Sequence, residues 1–106
     1  MPYIEEKRRE LLDKSIGFSV ESIKASISKT YESEISNEEF LTISGDINYF
    51  VSRLIAQLMG DASYGKICAI TGVLENIKQE YYRRVASPYE DKKIVENGDI
   101  KEYKSI

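Results

Sequence analysis

The sequence predicts an all-α fold: a small antiparallel bundle of three main helices and a short C-terminal helix, assembling as a homo-oligomer. Two observations carry this. Apolar residues recur at steps of three and four along almost the whole chain, and only two prolines and six glycines punctuate it. At 106 residues and 42% hydrophobic content, the chain makes one small domain with a modest core, so association between copies is a natural way to bury more surface.

The first helix is expected within 1–28, where Leu12, Ile16, Val20, Ile23 and Ile27 keep helical spacing. Gly17 inside that pattern costs about 1 kcal/mol against alanine and marks a place for a bend or break. The charged run Glu5 to Glu10 reads as a solvated face. Periodicity fades over 29–44, a variable loop or short helix, although Ser36 to Phe40 (SNEEF) has the flavour of a capping box with Asn37 available as cap.

The second helix is expected over 45–60. Gly45 and Asp46 break and cap, and Ile47, Phe50, Val51, Leu54, Ile55 and Leu58 follow until Gly60. Tyr49 and Arg53 lie four apart on another face and should touch. They form either a plain surface pair or part of a ligand or subunit contact. The third helix, over 63–85, begins at a Ser63 cap and carries Ile67, Ile70, Val73, Leu74, Ile77, Tyr81 and Val85. Gly72 and Ala69 offer a small surface for close backbone approach. Ser87-Pro88-Tyr89-Glu90 then supplies a cap, a proline at the first helical position and a capping-box glutamate, which predicts a turn and a fourth helix over 88–97 ended by Gly98. A loose polar tail, 99–106, follows, with Ile100 and Tyr103 able to dock.

Composition narrows the chemistry. There is no histidine and one cysteine, Cys68, which removes the commonest general base, cysteine metal clusters and any disulfide within the chain. No catalytic residue, metal or cofactor is expected, and Cys68 reads as a packing residue. A net charge of −3 argues against a broad basic face for long nucleic acid. No apolar run has membrane-spanning length and the start lacks a signal segment, so no membrane contact and a cytoplasmic location are expected. Glycines lack phosphate-loop spacing, and the acidic residues lack EF-hand spacing.

The most informative stretch is Lys78 to Asp99, KQEYYRRVASPYEDKKIVENGD. Rings beside guanidiniums suit a flat anion, because rings stack on bases and Arg forks grip phosphate oxygens. Lys78, Tyr82, Arg83, Arg84 and Tyr89, with Tyr49 and Arg53, are the candidate ligand-binding residues. The arginines also have a structural explanation: capping of the last helical turn, plus pairs with Glu80, Glu90 or Asp91.

The opening MPYI, GDINY at 45–49, TGVLE at 71–75 and YYRRVASPYEDKKIVENGD at 81–99 together resemble a widespread group of small proteins from tailed phages and prophages. The chain departs from that pattern by a longer segment before GDINY and a tail beyond NGD. By type, the resemblance extends to the phage sponges of anti-CBASS and anti-Thoeris systems. It implies a protein of the host cytoplasm that oligomerises and sequesters a cyclic nucleotide immune signal without hydrolysing it.

Such a sponge needs nanomolar affinity, roughly 12 kcal/mol. Two stacked bases at about 1–3 kcal/mol each and two phosphates at about 1.5–3 kcal/mol per charge-assisted bond approach that if a pocket closes between subunits. Tyr82 or Tyr89 would stack, and Arg83, Arg84 or Arg53 would hold phosphates. The alternative is a non-catalytic protein binding a host or phage protein through the same Tyr/Arg element. A carboxylate-metal nuclease or phosphodiesterase is the third class.

Overall fold

A computed structural model describes residues 3–104. Positions 1, 2, 105 and 106, which fall in the expected first helix and tail, lie outside the described residues. Among those residues the protein is all-α: α1 (Glu6–Ala25), α2 (Asn37–Met59), α3 (Tyr64–Tyr81), a π turn (Tyr82–Ala86) and α4 (Ser87–Asn97). Two compact units divide the chain after Ser63.

The first unit holds α1, α2 and the segment between them. α1 runs through Gly17 without a break: the cost of one glycine is small against a helix of 20 residues, and an added Cβ there would meet the Tyr31 ring only at ordinary contact distance, 3.9 Å. It ends three residues before the expected boundary, in a Schellman cap. Ser28 adopts a left-handed φ of 59°, its N–H bonds the Ala25 carbonyl at 3.0 Å, and the Lys29 N–H bonds the Lys24 carbonyl at 3.0 Å. The Lys24 ammonium then pins the connecting segment by donating to the carbonyls of Tyr31 and Ser33, at 2.8 and 2.7 Å.

α2 starts eight residues earlier than the sequence suggests. Ser36, rather than Asn37, is its cap. The Ser36 hydroxyl accepts from the Glu39 N–H at 3.1 Å and the Glu39 carboxylate accepts from the Ser36 N–H at 2.9 Å. Gly45 and Asp46 do not break the helix. Space around Gly45 is open, and Asp46 instead accepts a 3.0 Å bond from the Ser26 hydroxyl, tying α2 to the end of α1. Ile43, in the stretch expected as variable, is the one described residue that is buried (4% exposed). Gly60 ends α2 with φ 63°.

The second unit is one continuous helix followed by a short tail. No turn separates α3 from α4, because Tyr81, Ala86 and Ser87 all keep right-handed helical torsions. The expected helix–turn–helix is therefore corrected to a helix with a widened turn. In regular α geometry the Pro88 ring would collide with the carbonyl of Arg84, four residues back. The helix escapes by taking up one extra residue: the Ser87 N–H reaches five residues back to the Tyr82 carbonyl. Ser87 is thus not a cap, and Arg83 and Arg84 do not sit at a helix end. Gly98, at φ 84°, closes α4 by bonding the Ile94 carbonyl at 2.8 Å. A final turn at 101–104 brings Ile100 and Tyr103 near Tyr89.

Candidate functional site

The seven candidate residues fall into three places. Tyr49 and Arg53 lie on α2 and touch as their spacing predicts. Arg53 donates to the Tyr49 hydroxyl at 3.3 Å, and its guanidinium carbon stands 5.9 Å from the ring centre. With Phe50, Leu54 and Gln57 they line an open concavity of about 300 Å³.

Lys78, Tyr82 and Arg83 come together on the long helix. They line an open groove of about 560 Å³ with Asn76, Gln79, Glu80 and Ser87. Arg84 is beside it but not among the lining residues. Glu80 organises the cations: its carboxylate takes Arg83 at 3.0 Å and Arg84 at 3.1 Å. Both arginines remain well exposed (side chains 72% and 59%), so these pairs are solvent-screened. Exposed helix pairs of this kind contribute about 0.3–0.5 kcal/mol each. A phosphate can therefore compete for the guanidiniums at small cost. Of the pairings that the sequence allowed, the one with Glu80 forms.

Glu90 has a different use. It accepts the Tyr82 hydroxyl, and this bond, with the negative charge of the carboxylate, holds the phenol above its ordinary value of 10.0. The π turn explains the pairing. Eight residues along a regular helix lie about a quarter turn apart, whereas seven lie on one face. The extra residue taken up by the π turn brings Glu90 onto the face of Tyr82 and rotates Tyr89 off it. Tyr89 accordingly lines a separate concavity of about 430 Å³ with Ile94, Ile100 and Tyr103, and its ring receives the Lys93 ammonium at 5.5 Å.

Sequence reasoning passed over Asn76, Gln79 and Ser87 as groove residues. Their spacing from Arg83, at seven, four and four, would have placed them on or beside its face once the helix was known to continue. Among the described residues no three His, Cys, Asp or Glu side chains converge to hold a metal ion, and no helix is long and apolar enough to cross a membrane.

The class defined by these features is an all-α protein carrying a tyrosine–guanidinium groove at a π turn. The chain belongs to the family described as Domain of unknown function (DUF6899), whose model matches residues 1–100. No curated protein and no solved structure matches it.

Proposed function

We propose that this protein binds and sequesters a small, flat, anionic nucleotide of the cyclic dinucleotide or cyclic ADP-ribose type without turning it over. In this role it acts as a phage-encoded sponge in the host cytoplasm, lowering the free signal that drives anti-phage defence. The observation that carries the proposal is the gathering of Lys78, Tyr82 and Arg83 in one groove. An aromatic face can take a base there, while an exposed fork and an ammonium take phosphate oxygens. The weak Glu80 pairs keep the forks pointed outward until a phosphate arrives. Resemblance to phage proteins of the sponge type supports the same reading, and binding without turnover asks for no general base, in keeping with a chain that has no histidine.

Calorimetric titration of the whole protein with cyclic dinucleotides and cyclic ADP-ribose isomers is the test, followed by heat release and chromatography of the ligand. Tight binding with intact recovery is the expected result. A cleaved product would make the protein an enzyme, and silence across the set would remove nucleotide binding. A second reading, a protein partner on the Tyr/Arg element, draws on the many exposed apolar side chains around it, including Tyr81, Val85 and Val95.

A further inference from the structure

Resting on the reading of the groove as a nucleotide site, we propose that its π turn selects ribose. The main-chain carbonyl of Arg83 and the side-chain hydroxyl of Ser87 together hold the 2′-hydroxyl of the bound nucleotide. In an α-helix each carbonyl accepts from the N–H four residues on. For Arg83 that donor would be Ser87, but the Ser87 N–H goes one residue further back, to the Tyr82 carbonyl. A π turn would supply the next N–H instead, at position 88, and Pro88 has none. The Arg83 carbonyl is therefore left without a main-chain donor from the following turn, well inside a helix rather than at its end.

Helical carbonyls point toward the C-terminus, so this one is aimed toward Ser87, and both residues line the groove with Lys78 and Tyr82. Ser87 is half-buried there, and among the described residues its hydroxyl bonds no other group. A carbonyl only accepts, whereas a hydroxyl donates and accepts. The pair thus complements a ligand group that does both. Phosphate oxygens and ring nitrogens accept, and an exocyclic amine donates. A sugar hydroxyl does both: it gives its proton to the Arg83 carbonyl and accepts one from Ser87. With a base on Tyr82 and a phosphate on Lys78 and Arg83, the ribose that joins them is the part left to face Ser87.

Titration of the whole protein with cyclic dinucleotides and a cyclic ADP-ribose isomer, each beside its 2′-deoxy and 2′-fluoro analogues, tests this. The ribose form should bind about tenfold more tightly than the deoxy form, which leaves both groups unpaired. A fluorinated sugar keeps the ribose pucker but has no proton to donate, so it should bind like the deoxy form. Ser87→Ala should bring the ribose-to-deoxy ratio most of the way to one through loss of ribose binding alone, with helical circular dichroism unchanged. Pro88→Ala restores an N–H. In the π register that N–H meets the Arg83 carbonyl directly, and in the α register the Ser87 N–H returns to it, so the ratio should shrink either way. Equal binding of ribose and deoxy forms overturns the proposal and leaves the sponge reading standing. So does a fluoro analogue that binds as the ribose form does, or a ratio that neither variant changes. Silence with every form removes the sponge reading as well.

Discussion

Single residues in this chain shape caps and, in the proposed function, present groups to a ligand. Ser28 does the first at a cost, since a residue with a Cβ pays for φ 59° that glycine adopts freely. Ser28→Gly should therefore stabilise the protein by up to about 1 kcal/mol, and Ser28→Val should destabilise it, as read by chemical denaturation. Tyr82 does the second in the proposed function, and its ring and hydroxyl can be told apart. Tyr82→Ala removes the stacking surface and should weaken nucleotide binding about tenfold to hundredfold. Tyr82→Phe keeps the ring and loses only the bond to Glu90, so binding within a few-fold of wild type is expected. Equal losses in both variants, measured by titration, would mean that the Glu90 bond rather than the ring is what the ligand needs. The Tyr49–Arg53 contact was legible as an i,i+4 pair, because such pairs are fixed by helix geometry alone.

At the scale of elements, the helical state of α1, α2 and α3 was legible from the spacing of their apolar residues, although among the described residues those stripes stay largely exposed and only Ile43 is buried. Two junctions were not. A glycine and an aspartate in sequence look like a stop and a cap, yet α2 passes through Gly45 and Asp46, since the Ser36–Glu39 box had already started it upstream. Pro88 poses a steric conflict with two solutions, ending the helix or widening it, and the local residues do not choose between them. Pro88→Ala removes the conflict. It should raise helical ellipticity and stabilise the helix by about 1–3 kcal/mol. The α2 cap gives a pH signature of defined sign. The Ser36 N–H, and secondarily Lys29 at 3.5 Å, hold the Glu39 carboxyl below its ordinary 4.5. The unfolded chain therefore binds the proton more readily. The contribution is whole above about pH 4.5 and is lost as pH falls through the folded-state value. Against Glu39→Gln, the stability difference should be flat at neutral pH and shrink only in that acidic range.

For the molecule as a whole, the sequence named the residue types that line the candidate groove but not how they group. A single extra residue in the helix decided that Tyr82 and Glu90 share a face and that Tyr89 does not. Charge is the other global property, and it sets the kinetics of the proposed binding. Lys78, Arg83 and Arg84 are offset nearby by Glu75, Glu80 and Glu90, so beyond the groove the field follows the net charge of −3. An approaching dianion is therefore repelled at long range and attracted only within the groove. Salt screens the first over about 10 Å at 0.1 M and acts less on contacts at hydrogen-bond distance. As salt rises from about 0.05 to about 0.5 M, the association rate should hold or increase while dissociation quickens. Stopped-flow titration with a fluorescent cyclic dinucleotide measures both. An association rate that instead falls more than about tenfold would mean that the guanidiniums steer the ligand from a distance. That outcome would require Arg83 and Arg84 to be released from Glu80 before the ligand arrives, and the groove would then be a steering surface as well as a binding one.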